Sequence, residues 1–159
     1  MKKVLIVEDE ILARLGLRQL VDWRKLELEL LPDATDGEEA LEMIRNSCPD
    51  IILLDLNIPK VSGLEILEFL KKEEMPTKVI VVSCQEEFDV VKKAMKLGAY
   101  DYLRKLNLSS DELENILEKC LVETEERITV HMQGIREIRY EEIVRDSRDI
   151  LAGACNYQT

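Results

Sequence analysis

Ile51-Ile52-Leu53-Leu54-Asp55-Leu56-Asn57-Ile58-Pro59 is the stretch on which the reading of this chain turns. Four branched aliphatic residues in succession read as a short strand buried on both faces, as inside a parallel sheet. The run stops at Asp55, and an acid after so apolar a run belongs where the strand leaves the sheet, at its carboxyl edge. Pro59 cannot continue a ladder, and Gly63 is expected to loosen the turn before the next helical pattern. In open α/β sheets ligands bind along that edge.

Three other stretches have the same form. Val4-Leu5-Ile6-Val7 runs into Glu8-Asp9, Val79-Ile80-Val81-Val82 runs into Ser83, and Tyr100-Asp101-Tyr102-Leu103-Arg104 leads to Lys105. With the strands parallel, one rim collects three carboxylates, a hydroxyl and an ammonium. Crowded carboxylates repel and call for a compensating cation. An all-oxygen, partly hydrated site of this kind suits Mg²⁺.

Helical patterns separate the strands. Leu12, Leu15, Gly16 and Leu20 are spaced as one buried stripe, and Asp22-Trp23-Arg24-Lys25-Leu26 ends that helix. Leu28-Glu29-Leu30 alternates as an edge strand does. Asp36 is placed to cap the second helix, with Glu39 three residues on completing a capping box, and Ala40, Leu41 and Ile44 facing inward. Gly63, Ile66, Leu67 and Leu70 mark the third helix. Val91, Ala94 and Met95 mark the fourth, with Gly98 as its stop. Ser109 and Glu112 cap the fifth, whose stripe is Leu113, Ile116, Leu117, Cys120 and Leu121. The alternation predicts an α/β fold: a doubly wound five-stranded parallel sheet of flavodoxin-like order 2-1-3-4-5 with a C-terminal helical extension. Residues 1–120 form the first unit and 121–159 a helical linker or dimerisation extension.

Composition excludes other classes. The 159 residues carry a formal net charge of −11, and neither 1–120 nor 121–159 is basic, so no phosphate-tracking surface for nucleic acid is expected. No membrane-length apolar run and no cleavable signal pattern is present, which leads to a cytoplasmic expectation. Cys48, Cys84, Cys120 and Cys155 lack metal-ligand spacing and read as ordinary thiols in a reducing compartment.

Glu8-Asp9, Asp55, Ser83 and Lys105, in this order and on these strand ends, resemble the receiver domain of two-component response regulators over about residues 1 to 120. The resemblance implies a phosphorylation-controlled signalling switch rather than a turnover enzyme. Asp55 is then the phosphoacceptor, taking a phosphoryl group from a sensor histidine kinase and losing it slowly by self-catalysed hydrolysis. Glu8, Asp9, Asp55 and the main-chain carbonyl of Asn57 would hold Mg²⁺; Ser83 and Lys105 would recognise the phosphoryl oxygens. Tyr102 is similar to the family's switch aromatic. Val21–Leu26 and Lys105–Leu108 resemble receivers joined to arabinose-regulator-type helix-turn-helix domains, so a transcriptional output outside this sequence is implied.

Three positions depart from the family pattern: Glu8 stands for the usual Asp, Cys84 for Ala or Gly, and Leu106 for a proline with a cis bond. A trans Lys105–Leu106 bond is expected, because the cis form costs roughly 3–4 kcal/mol. These departures also admit a pseudo-receiver acting as a constitutive interaction module. An aspartyl phosphatase on a related fold fits less well, since Asn57 stands where its second Asp belongs. Gln85, with Asn57, occupies a position that tunes dephosphorylation in receivers. His131 lacks the acid that follows a kinase phosphohistidine. Finally, Leu113, Leu117, Cys120, Thr124, Ile128, His131, Ile135 and Ile138 step by three or four residues, which favours a parallel homodimer through an extended fifth helix over a single helix folded back on its own receiver or a frayed tail.

Overall fold

Strand β3 (Ile51–Leu54) lies at the centre of a parallel sheet, and all four of its residues are buried, as a strand covered by helices on both faces must be. In the computed structural model, which describes residues 1–84 and 88–134 with side chains as far as Glu123, the sheet has five strands in the order β2-β1-β3-β4-β5. The others are β1 (Lys2–Val7), β2 (Leu28–Leu30), β4 (Lys78–Ser83) and β5 (Asp101–Arg104), joined by α1 (Ile11–Leu20), α2 (Gly37–Ser47), α3 (Gly63–Lys72) and α4 (Phe88–Lys96), with α5 (Ser110–Gly134) following β5. The register sets Val7 beside Leu54 and Leu54 beside Val81, so the residues that follow these strands emerge on one rim. Order and class match the sequence expectation.

Two apolar layers sandwich the sheet. Leu5, Val7, Ile52, Leu54 and Val81 pack with Ala40, Ile44, Ile66 and Leu67 of α2 and α3. Val4, Ile6, Leu53, Ile80 and Val82 pack with Leu17, Trp23, Leu113, Leu117 and Cys120 on the opposite face. Each large side chain so buried contributes about 1.5–3 kcal/mol against exposure.

Helix ends follow local chemistry. The Asp36 carboxylate accepts from Glu39 N–H at 2.8 Å, while the Glu39 carboxylate receives the Thr35 hydroxyl at 3.3 Å, and the reciprocal capping box forms at α3 instead, between Ser62 and Glu65. Ser109 Oγ accepts from Glu112 N–H at 3.1 Å, as expected for α5. Gly98 has φ +100°, and Gly98 and Ala99 donate to the carbonyls of Met95 and Ala94, the paired bonds of a Schellman stop.

Three further sequence expectations are corrected. In α1 the buried residue is Leu17, with Leu20 partly buried, whereas Leu12 and Leu15 are 84% and 48% exposed. Spacing alone could not choose between two apolar stripes, and the sheet selects the one containing Leu17. In α4 Met95 is exposed, while Val90 and, just past the helix end, Leu97 join Ala94 against the core. Gly63 does not loosen a turn. A Cβ there would lie 2.6 Å from Leu56 Cα and 2.9 Å from the Asp55 carbonyl, so its lack of a side chain is what lets α3 start against the acid-bearing loop.

Helix α5 continues past residue 120, as the sequence suggested. Its first seam residues Leu113, Leu117 and Cys120 are consumed by the protein's own sheet. The remaining seam side chains, from Thr124 through Ile128 and His131 to Ile135 and Ile138, lie outside the described residues, as does Gln85.

Candidate functional site

Asp55 sits one residue past β3 with 5% of its surface exposed. A carboxylate so placed needs donors, and three converge on it. Asn57 N–H donates to Oδ1 at 3.0 Å, the Ser83 hydroxyl donates to the same oxygen at 3.2 Å, and Lys105 Nζ lies 2.7 Å from Oδ2. Ser83 ends β4 and is fully buried; Lys105 follows β5, where its N–H donates to the Ser83 carbonyl at 2.9 Å. Parallel packing of β3, β4 and β5 therefore brings together groups about fifty and thirty residues apart in sequence.

Glu8 and Asp9 follow β1, the neighbour of β3. Glu8 is 1% exposed and forms an ion pair with Lys105, while Asp9 is exposed. One oxygen from each of Glu8, Asp9 and Asp55 falls within 4.8 Å of the others. Burial pushes the Glu8 carboxyl up from 4.5 to about 7, aided by the nearby Asp55 charge and opposed by hydrogen bonds to Lys105 and to Glu10 N–H. For Lys105, burial works against the ammonium, but hydrogen bonds to Asp55 and Glu8 outweigh it and hold its pKa above the ordinary value. The ammonium is thus a fixed charge between two acids. The extra methylene of Glu8 relative to the family's Asp adds reach toward that ammonium.

The remaining sequence candidates fall around this centre. Tyr102 O–H donates to the Cys84 carbonyl at 2.9 Å, tying β5 to the segment after Ser83. Cys84 is exposed. Among the described residues there is no cis peptide bond, and Lys105 reaches both acids through a trans bond to Leu106, which is 64% exposed. Asn57 reaches Asp55 through its N–H.

With this geometry in place, comparison with known proteins decides the family. The response regulator receiver domain profile matches residues 4–118. This chain belongs to the response regulator receiver family. The receiver is 33% identical over 118 residues to an uncharacterized response regulatory protein of Staphylococcus epidermidis, covering 74% of this chain and 46% of that protein. It is 30% identical over 141 residues to the uncharacterized transcriptional regulatory protein YesN of Bacillus subtilis, covering 89% of this chain and 38% of that one. Among solved structures, the REC domain of AraT, a response regulator from Geobacillus stearothermophilus, superposes with a TM-score of 0.72 at 31% identity, covering 79% of this chain and 97% of the other. The receiver thus spans less than half the length of these two curated relatives.

The acidic pocket fits the hard divalent cation that receivers bind: its donors are all carboxylate oxygens, and Asp9 keeps it open to water. Sequence reading missed Arg14. Its Nη1 donates to the main-chain carbonyls of Glu8 and Asp9, both at 3.0 Å, and its Nε lies 4.0 Å from Asp33. The available signal was an arginine in the first turn of a helix that begins directly after an acid pair. Among the described residues no helix is long and apolar enough to cross a membrane.

Proposed function

We propose that Asp55 is the phosphoacceptor of a signalling switch loaded by a sensor histidine kinase. The observation that carries this reading is the enclosure of Asp55 by Asn57 N–H, Ser83 and Lys105, next to two further acids. An Asp55 oxygen attacks the phosphorus of a phosphohistidine, a P–O bond forms, and the P–N bond breaks, its electrons returning to the imidazole. Glu8, Asp9, Asp55 and the Asn57 carbonyl would hold Mg²⁺, which when bound offsets charge on the phosphoryl oxygens.

The donors already on Asp55 supply the rest. Once phosphorylated, the Asp55 carboxyl loses its negative charge, and Ser83 and Lys105 are left within reach of the new phosphoryl oxygens. These carry the negative charge that the Asp55 carboxylate has given up, so both donors favour the shift. Movement of Ser83 disturbs the adjoining Cys84, whose carbonyl holds the Tyr102 hydroxyl. That bond is the route by which Tyr102 would act as the switch aromatic. Water attack on the acyl phosphate returns the resting state slowly. The reach of Lys105 to Asp55 and Glu8 weighs against the pseudo-receiver reading.

Since the match takes up less than half of each of these relatives, we assign the output, a DNA-binding helix-turn-helix domain of the arabinose-regulator type, to a part of the protein outside this acidic sequence. Residues 121–159 then serve as linker, with homodimerisation through the part of α5 beyond Glu123. Sedimentation equilibrium on 1–159 and on a 1–122 truncation tests the dimer, which is wrong if both are monomeric with and without phosphorylation.

The test of the central reading is intact mass after incubation with a small-molecule phosphodonor. One phosphoryl mass is expected with Mg²⁺ and none in Asp55→Asn. Equal labelling of Asp55→Asn and wild type would sink the assignment.

A further inference from the structure

We infer that Arg14 is a positioning residue for the metal pocket: it aims the Asp9 carboxylate by holding the main-chain carbonyls of Glu8 and Asp9, which flank that side chain. The inference rests on the Mg²⁺ reading above and deepens it.

Two successive carbonyls, those of Glu8 and Asp9, converge on the same guanidinium nitrogen at 3.0 Å each. Because peptide units are planar, fixing two consecutive carbonyl directions fixes two consecutive planes, and with them the direction of the side chain that they flank. That side chain is Asp9. Among the described residues no hydrogen bond or ion pair reaches its carboxylate, so its aim depends on its main chain. Glu8 has other supports: its N–H donates to the Ala34 carbonyl at 3.0 Å and its Oε2 accepts from Glu10 N–H at 3.2 Å.

The guanidinium is itself braced. Asp33, in the segment between β2 and α2, lies 4.0 Å from Arg14 Nε and is anchored by Arg18 at 2.7 Å, and Arg18 Nη1 also donates to the Leu31 carbonyl at 3.3 Å. The same segment is stitched to the end of β1 by the Val7–Ala34 bridge. Arg14 thus ties the acid-bearing loop to a neighbouring loop already fixed on the sheet. A rigid planar group that never loses its proton suits this task, since Nη1 meets both carbonyls while Nε, on a second nitrogen at a fixed angle, faces Asp33.

Charge gives the proposal a decisive sign. A bystander cation beside the pocket would repel Mg²⁺, so its removal would tighten metal binding. A positioning cation does the reverse. Mg²⁺ titration by calorimetry on the full chain, above the range in which Glu8 titrates, separates the two. Arg14→Gln is expected to raise the Mg²⁺ dissociation constant about tenfold. Arg14→Lys, which keeps the charge and gives up the planar group, is expected to raise it two- to threefold. Melting in EDTA reports any general loss of stability separately. An unchanged or tighter dissociation constant in Arg14→Gln, even with a lowered melting temperature, overturns the proposal. If that variant does not fold, Arg14→Lys decides in the same sense. Wild type that fails to bind Mg²⁺ overturns the metal reading itself and this inference with it, a result distinguishable from failure in the variants alone.

Discussion

At the amino-terminal rim of the sheet, Lys78 lies 3.6 Å from Glu123 and 4.5 Å above the Tyr100 ring, while Lys2 and the Lys3 N–H both face Asp50. At the carboxy-terminal rim, Glu8, Asp9 and Asp55 crowd around Lys105. Both rims are charged ends of the same five strands. One pairs its charges one to one, partly in water; the other gathers three acids against one ammonium, with Glu8, Asp55 and Lys105 largely buried. Neutral pairing serves to close an end of the fold. A surplus of buried negative charge is stable only while a cation is supplied, and it marks the rim proposed to bind the metal and react.

Removing the counter-ion is the hardest test of this contrast. Lys105→Met should lower the stability of the metal-free protein by about 3 kcal/mol, because two acids lose a partner that is close to buried. Mg²⁺ should restore much of that loss, so the gap between melting in EDTA and in Mg²⁺ widens relative to wild type. An unchanged gap would mean that Lys105 does not compensate the acids.

Supplying the metal comes next. At a free concentration a hundredfold above its dissociation constant, Mg²⁺ should add about 2.7 kcal/mol to wild-type stability. Asp9→Asn should lose most of that gain while melting normally in EDTA. A wild-type melt indifferent to Mg²⁺ would favour the pseudo-receiver.

Acidity sharpens the comparison further. The Glu8 carboxyl titrates at about 7 in the fold against an ordinary 4.5, so between these values the folded state binds more protons than the unfolded one. Stability of the metal-free protein should therefore fall as pH rises through that window, by about 3 kcal/mol, and level off above it. Glu8→Gln should flatten the slope in thermal melts. Persistence of the slope in that variant would assign it to another group.

The opposite rim should respond least. Glu123→Gln removes a partly exposed pair and is expected to cost about 0.5 kcal/mol, with no change in phosphorylation or Mg²⁺ affinity. A large effect on either would erase the distinction between the rims.

The candidate site was legible because three of its residues end apolar runs: Asp55 follows Leu54, Glu8 follows Val7 and Ser83 follows Val82. Other features were hidden for definite reasons. Leu12 and Leu15 share helical spacing with Leu20, yet they face outward, since a helix with apolar residues on two sides has no preferred face until the sheet is present. Arg14 was overlooked because its partners are main-chain carbonyls, which leave no mark in residue types.

The order of strands and helices, the class of fold and the placing of the candidate site residues at strand ends are properties of the sequence by itself, because burial on one or both faces imposes a period that can be read along the chain. Tertiary structure alone decided how the groups meet. The crossing of parallel strands sets Lys105 between Glu8 and Asp55, the close start of α3 demands Gly63, and the return of Arg14 onto its own loop orients Asp9. Those contacts depend on distances between segments far apart in sequence, and on main-chain directions, and neither is encoded in any local pattern.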